Sequence, residues 1–521
     1  MSLPQDLLTA YGALARTGLL GSSPAHALLQ FLACYVRYGG SLYTLAAWNA
    51  RRFPQRLALA EPGRTVTFGE LTARADRLAC GLQEAFPAAR TCAILGRNRV
   101  ALVEGLLACA RLGLDTLLLP TSLTPDQWES LNAKSPLDVL ICDGEFLPRL
   151  EPVLRRGSPE IVHTGAETGE SPSLASLMGT TRHGRLRRMA GRLTLLTSGT
   201  TGPAKAVRRG PSLEEALGVL TGVLDRLWLR PGEPTLLTVP LLHGHGLATL
   251  LMTLATGSPL FLFPKATPED YLRCLEEQHI ATLVLVPTVL YRLLEAGGRP
   301  TPALRRILCG SAPLDPPLAV RCLERFGPVL YNLYGSSEAG LISLATPEDL
   351  RQAPSSVGRP LPGLKPRILD EHGRELPPGE PGEVRVVRGG RGIPMGDAGY
   401  LDAEGRLFLM GRADDMLICG GVKVYPQAVE QSVLGHLEYV QECAAVGIGD
   451  LEYGQAIHLF VVIKPGQPGM TPEAVARDLE GLFPRSTRPK RITFVEALPR
   501  NLAGKVRRRE LEESGPGRPS A

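Results

Sequence analysis

The chain has 521 residues, 44% of them hydrophobic and 21% charged, with a net charge of +5. That length exceeds one hydrophobic core and predicts two or three domains, with the composition of a globular protein rather than a disordered or fibrous one. The positive charge is spread along the chain, which argues against a nucleic-acid-binding surface.

In chain order, residues 1–42 read as a helical leader, with apolar residues at helical spacing (Leu7, Leu8, Tyr11, Leu14, then Leu28, Phe31, Leu32, Tyr35). Its longest uncharged stretch, 18–36, contains Gly, Ser, Pro, His and Gln, and makes a poor transmembrane span. The leader is expected to pack on the next domain, with contact to a membrane surface as a second role. Short β-rich runs then alternate with helical stretches: Cys92–Leu95, Val139–Cys142, Leu193–Leu196, Leu236–Val239, Leu260–Phe263, Thr282–Val286 and Ile307–Cys309. This alternation predicts βαβ units around mostly parallel sheets, an α/β fold. From Arg367 to Met410 the runs Val384–Val387 and Leu407–Met410 lie between Gly/Pro-rich turns and predict a small β subdomain. After Arg412–Asp415, the runs Ala444–Ile448, Leu459–Ile463 and Ile492–Val495 predict a smaller α+β unit. The Gly/Pro/Ser-rich tail, 514–521, is expected to be disordered.

Ten cysteines are scattered without a Cys-x-x-Cys pair, which fits buried reduced thiols and a cytoplasmic chain. His243 and His245 have no carboxylate or cysteine cluster beside them, so a metal is not expected there. Lysine is scarce: eight of the 57 basic residues, against 49 arginines. A lysine inside a chemical motif is therefore informative, because a compact ammonium fits beside a crowded phosphate where a planar guanidinium does not.

Lys205 and Lys505 are of this kind. Residues 194–207 read Thr-Leu-Leu-Thr-Ser-Gly-Thr-Thr-Gly-Pro-Ala-Lys-Ala-Val, a polar loop after an apolar strand. Gly199 and Gly202 let the backbone turn, Ser198, Thr200 and Thr201 add hydroxyls beside main-chain N–H groups, and Lys205 supplies charge. Such a loop can hold a triphosphate, although it is not a Walker A loop and the same residues also suit a plain surface turn. Further along stand Val239-Pro-Leu-Leu-His-Gly-His-Gly246, Gly310-Ser-Ala-Pro313, Tyr331-Asn-Leu-Tyr-Gly-Ser-Ser-Glu338 and Gly396-Asp-Ala-Gly-Tyr400. Then come Gly411-Arg-Ala-Asp-Asp415, Gly420-Gly-Val-Lys-Val-Tyr-Pro426 and finally Pro499-Arg-Asn-Leu-Ala-Gly-Lys-Val506.

In this order and spacing the motifs resemble those of the adenylate-forming superfamily, which includes acyl-CoA synthetases, luciferases and peptide-synthetase adenylation domains. The resemblance runs from about residue 43 to about residue 511. It implies a large AMP-binding domain over 43–411 (β subdomain from about 360), a hinge at 412–416 and a small mobile domain at 417–513. It also implies two half-reactions: a carboxylate attacks the α-phosphate of ATP, and a thiol then displaces AMP. Carried over by position, the resemblance gives Ser198, Gly199, Thr200, Thr201, Gly202 and Lys205 the phosphates, and Gly310, Ser311 and Ala312 the border of adenine. Tyr334 would stack on the base, Gly335 and Ser336 would also bind the nucleotide, and Ser337 would contact the α-phosphate. Glu338 would hold Mg²⁺, Asp397 the ribose hydroxyls and Arg412 the ribose or phosphate. Asp414 would be the pivot, and Lys505 the catalytic lysine bridging carboxylate and α-phosphate. Lys205 and Lys505 serve one reaction only if the small domain closes on the large one, a gating step that shields the adenylate from water.

His243 and Gly244 lie where amino-acid-activating members carry an aspartate, so an uncharged acyl chain is expected at that pocket mouth. The chain is most similar to bacterial fatty-acyl-CoA synthetases with a helical leader, which implies a medium- or long-chain fatty acid, ATP, Mg²⁺ and CoA. The alternatives are an acyl or aryl adenylating enzyme loading a carrier protein, and a non-catalytic nucleotide- or lipid-binding homologue. Three departures from the family pattern stand out: Pro203-Ala204 with Ala206 in the phosphate loop, Met395 before Gly396, and Val422-Lys423 where Glu-Asn is usual.

Overall fold

The computed structural model describes residues 18, 23–154, 159–165, 171–179, 191–196, 222–224, 226–336, 339–388, 391–420, 422–450, 452–467, 469–501 and 504–514. The chain forms two compact units, Met1–Leu285 with Thr301–Ile307, and Val286–Pro300 with Leu308–Ala521. The fold is mixed α/β, with a large N-terminal domain and a smaller C-terminal one.

The first unit opens with helices α1 (Pro24–Tyr38) and α2 (Leu42–Arg52). The Trp48 indole N–H donates to the Ala27 carbonyl at 3.0 Å, and α1 buries Ala27 and Cys34 on that side. Its other side leaves Leu28, Leu29, Leu32, Tyr35 and Val36 between 46% and 81% exposed. The expected helix around Leu7–Leu14 lies outside the described residues. Hairpin β1 (Leu57–Glu61) and β2 (Arg64–Thr67) leads into α3 (Phe68–Ala85). A capping box starts α3: the Thr67 hydroxyl accepts from the Glu70 N–H, and Glu70 accepts from the Thr67 N–H at 2.8 Å.

Five strands then form an all-parallel sheet in the order β6-β5-β3-β4-β7: β3 (Thr91–Leu95), β4 (Asp115–Leu118), β5 (Val139–Cys142), β6 (Glu160–His163) and β7 (Leu193–Leu195). Strand β5 is buried along its whole length, and helix α4 (Val100–Leu112) is buried nearly all round. Continuous apolar runs of this kind are what two covered faces of a parallel sheet require. A second sheet places β8 (Thr235–Leu237), β9 (Leu260–Leu262) and β10 (Thr282–Leu285) in the order β10-β8-β9-β1, all parallel, with β2 antiparallel at the edge. Helix α5 (Gly244–Thr256) connects β8 to β9.

In the second unit, helices α6 (Pro287–Glu295) and α7 (Pro316–Phe326) accompany the antiparallel strands β11 (Leu330–Ser336) and β12 (Gly340–Ala345). A four-stranded antiparallel sheet follows: β13 (Lys365–Leu369), β14 (Gly382–Arg388), β15 (Arg391–Leu401) and β16 (Leu407–Arg412). The Gly/Pro-rich sequence at 391–401 belongs to this sheet as its longest strand, because neighbours on both sides supply the ladder that its composition does not advertise. The short 3₁₀ turn Ala413–Asp415 links it to the last sheet, whose main strands are β17 (Val440–Asp450), β18 (Gly454–Ile463) and β19 (Arg491–Phe494). This sheet has two apolar faces. Cys443, Ala445, Leu459 and Val461 pack with Val429 and Val433 of helix α8 (Pro426–His436). Ala444, Val446, Phe460 and Val462 pack on the opposite side with Leu498 and Leu511. Period-two alternation along β17 and β18 thus buries both faces.

All ten cysteines are free thiols, nine of them buried. Among the described residues no helix is long and apolar enough to cross a membrane, and no group of three His, Cys, Asp or Glu could hold a metal ion.

One buried ion pair braces the first unit. Arg306, 3% exposed, pairs with Glu233 and donates to the carbonyls of Leu227 and Trp228 at 3.0 Å each. Arg306→Ala removes the shared donor of both carbonyls and the buried cation of Glu233, leaving that carboxylate only Arg305 at 3.4 Å and the Arg230 N–H at 3.3 Å among the described residues. It is expected to cost about 3 kcal/mol or more, the range for removing one partner of a buried pair. A fall in the urea midpoint at unchanged slope would register it; an unchanged midpoint would refute it.

Candidate active site

The ribose-motif residue Asp397 lies on β15 directly opposite Arg412 on β16. Antiparallel register brings the two side chains together: an Arg412 Nη1 nitrogen donates to Asp397 at 3.1 Å and to the Met395 carbonyl at 3.1 Å. Tyr334, on β11 and 8% exposed, donates its hydroxyl to the other Asp397 oxygen at 2.6 Å. Burial, reinforced by Asp397, pushes the phenol well above its ordinary value, so this hydroxyl stays a donor. Gly396 has φ +65°, and a Cβ there would stand 2.5 Å from the Arg412 guanidinium, so only glycine lets the arginine lie across this turn. Three residues from separate motifs, Tyr334, Asp397 and Arg412, therefore form one hydrogen-bonded group.

The segment Gly310–Pro313 leaves the strand Arg306–Gly310 with Ser311 at φ +70°. A non-glycine residue held in that region carries strain of roughly 1–3 kcal/mol, and such residues gather at ligand-binding sites. Asp315 follows at the head of α7. Burial pushes its carboxyl up to about 7, with Glu430 adding to the shift, Arg500 opposing it and Glu442 adding a smaller share.

Lys505 stands on a tight turn. The Asn501 N–H donates to the Lys505 carbonyl at 2.9 Å, and the Lys505 N–H donates to the Asn501 side chain at 3.0 Å. The side chain of Lys505 is exposed, while Gly504 is buried beneath it at φ +79°. A Cβ on Gly504 would meet the Thr288 hydroxyl at 3.1 Å, which places the turn against the start of α6. Leu498 and Leu511, on either side of the turn, are anchored in the sheet beneath. Asp414 sits in the 3₁₀ turn between the last two sheets.

In the first unit, the mouth segment 239–246 is fixed by a residue the sequence reading missed. Asn98 is buried, donates to the Val239 carbonyl at 2.8 Å and accepts from the Leu241 N–H at 2.7 Å. Its only sequence signal is a polar loop directly after β3. His243 precedes the first turn of α5, and Gly244 is exposed with nothing within 4 Å of a Cβ position. Gly246 differs: a Cβ there would lie 2.2 Å from the Pro240 carbonyl oxygen. Its smallness serves backbone packing rather than room for an acyl chain. Burial holds His245 down at about 4, so it is neutral at physiological pH. The phosphate-loop residues Ser198, Gly199, Thr200, Thr201, Gly202 and Lys205, together with Ser337 and Glu338, lie outside the described residues. Gly335 and Ser336 end β11.

Comparison with known proteins places the chain among AMP-binding enzymes. The AMP-binding enzyme family matches residues 46–393, and the AMP-binding enzyme C-terminal domain matches residues 428–505. The 2-succinylbenzoate–CoA ligase of Geobacillus kaustophilus is 30% identical over 505 residues, covering 90% of this chain and 98% of its own. The fatty acid–[acyl-carrier-protein] ligase ScoC of Streptomyces coeruleorubidus is 28% identical over 510 residues, covering 91% and 96%. Among solved structures, o-succinylbenzoate CoA synthetase from Bacillus subtilis, in complex with its acyl-adenylate intermediate, superposes with a TM-score of 0.77. It is 26% identical and covers 91% of this chain and 99% of its own.

The two mouth glycines should separate on substitution. Gly246→Ala meets the Pro240 carbonyl and is expected to destabilise the protein by about 1–3 kcal/mol, as overpacking does. Gly244→Ala meets open space and should leave the melting temperature within a degree or two. Equal thermal shifts for both would contradict this division.

Proposed function

The chain belongs to the AMP-binding enzyme family, and from that premise we propose that it activates a medium- or long-chain fatty acid and transfers it to CoA. At the coarser level it is an AMP-forming acid–thiol ligase that works through an acyl-adenylate. The observation that carries the reading is the Tyr334–Asp397–Arg412 group, an acceptor for ribose hydroxyls flanked by an aromatic ring and a cation.

In the first step a carboxylate oxygen attacks the α-phosphorus and the bond to the β-phosphate oxygen breaks, releasing pyrophosphate. An anion must approach a polyanion, so cations at the reacting centre and on the leaving group dominate the barrier. We assign Lys505 to the carboxylate and α-phosphate. The 198–202 loop and Lys205 take the departing phosphates, Gly310, Ser311 and Ala312 border adenine, and Ser337 contacts the α-phosphate. Mg²⁺, which keeps waters and takes phosphate oxygens, would have Glu338 as its protein ligand. In the second step the thiol sulfur attacks the acyl carbonyl, AMP leaves, and the thiol proton passes to the medium. Asp414, in the turn between sheets, is the proposed pivot between the steps, with the hinge at 412–416 and the small domain at 417–513.

The fatty-acid reading draws support from the 239–246 segment, whose sequence holds His243 and Gly244 and contains no carboxylate for an ammonium, and from open space at Gly244. The acyl-carrier-protein ligase among its relatives favours carrier phosphopantetheine as a second acceptor, and the succinylbenzoate ligase favours aryl acids as a second substrate class. The exposed stripe Leu28, Leu29, Leu32, Tyr35 and Val36 on α1, with Arg37 beside it, supports peripheral contact with an anionic lipid surface.

Three measurements test these assignments. Acid-dependent exchange of pyrophosphate into ATP, run over fatty and aryl acids, should peak with medium or long chains and fall at least ~100-fold in Lys505→Ala. Thioester formation should then require CoA, and Asp414→Pro should impair that step more than exchange. Aryl preference, or exchange insensitive to Lys505, would defeat the proposal. Co-sedimentation with phosphatidylglycerol vesicles should drop about tenfold in the double variant Leu29→Glu, Val36→Glu; unchanged binding would remove the membrane role.

A further inference from the structure

Arg500 stands one residue after the start of the last motif, and no role in the reaction attaches to it. Its guanidinium is shared between two acceptors. Nη1 donates to the Gly504 carbonyl at 2.7 Å, and Nη2 donates to Glu442 at 3.0 Å. The first acceptor belongs to the peptide that joins Gly504 to Lys505. The second sits on β17, beside residues buried in both faces of the sheet. A rigid strand, a carboxylate and a forked cation therefore hold the plane of the peptide immediately before the lysine. The opposite wall of the turn is Thr288 at the head of α6, so the peptide has little room to rotate.

The surroundings give Arg500 more than a local tie. The buried Asp315, two residues beyond the Gly310–Pro313 segment, feels the Arg500 charge together with those of Glu430 and Glu442. A single Arg508 nitrogen donates to both Glu430 oxygens, at 2.6 and 2.8 Å, and the Ala445 N–H donates to one of them at 2.7 Å. Glu430 is thus occupied by Arg508, which leaves Arg500 as the cation for Glu442 and for the Lys505 turn. A lysine at position 500 would keep the charge but lacks the planar fork that spans two acceptors.

We propose that Arg500 is a positioning residue of the adenylation step, fixing the Gly504–Lys505 peptide through Glu442 so that the Lys505 ammonium is aimed at the reacting phosphate. The inference rests on the assignment of Lys505 above, and its test separates the two. Each variant is assayed for pyrophosphate exchange and, separately, for thioester formation from supplied acyl-adenylate and CoA. Arg500→Gln should lower the exchange kcat about 10- to 100-fold, the scale of an ångström-level misplacement. Its KM for ATP should stay within about twofold, because ribose and base contacts are elsewhere, and the thioester step should be retained. Arg500→Lys should recover part of the loss, and Glu442→Gln should fall in the same direction.

The decisive arm is the double variant. In a Lys505→Ala background, Arg500→Gln should cost almost nothing further, because there is no ammonium left to aim. Full additivity, or parallel loss of both half-reactions, would reduce Arg500 to a purely structural part and overturn the proposal. If Lys505→Ala leaves exchange intact, the assignment of the lysine itself is wrong. Should Arg500→Gln fail to fold, as judged by far-ultraviolet circular dichroism, Glu442→Gln alone and on the Lys505→Ala background decides by the same criteria.

Discussion

The antiparallel register of β15 and β16 is the constraint on which the Tyr334–Asp397–Arg412 group depends. Side chains alternate with period two, so a slip by one residue would turn Asp397 to the other face of the sheet and break its pairing with Arg412. With the register fixed, Asp397 meets the Tyr334 hydroxyl arriving from a different sheet, and three motifs spread over some eighty residues become one polar group. Gly396 belongs to the same constraint, since any side chain there would displace the guanidinium. Tyr400 and Phe408 stack face to face across the same two strands, with ring centroids 4.9 Å apart, and add apolar weight to the pairing.

Chemistry of this kind asks a protein to collect positive charge without collapsing around it. The second unit does so by giving its arginines acceptors before any ligand arrives. Arg412 is held by Asp397 and a carbonyl, Arg508 by Glu430, and Arg500 by Glu442 and the Gly504 carbonyl. Each guanidinium is thereby preorganised, and the cost of orienting it is met in folding. The Lys505 turn is tightly hydrogen-bonded, and its side chain is exposed. Burial of Asp315 and Glu430 among these cations keeps both carboxyls above their usual range, so the cluster is tuned by desolvation as much as by pairing.

Much of this was legible in the residues themselves. Apolar runs bounded by turns located strands such as Val139–Cys142 to the residue, because a strand buried on both faces has to be apolar throughout. The ordered motifs identified an adenylate-forming ligase, since phosphate, ribose and carboxylate each demand particular residue types at particular places. The strand carrying Asp397 was not legible: Gly and Pro at 392, 394, 396 and 399 read as turn, and only pairing on both edges makes them a ladder.

What the tertiary structure alone decided were contacts between residues distant in sequence. Asn98 bridges to Val239 and Leu241 from more than a hundred residues away, and nothing in its own neighbourhood announces that. Gly246 owes its small size to packing, since a Cβ there would lie 2.2 Å from the Pro240 carbonyl oxygen. Arg500 and Glu442, separated by a strand, a helix and a further strand, meet only because the sheet folds them together. Local sequence fixes residue chemistry and periodicity; which polar group faces which is set by register and packing, and those are properties of the assembled chain.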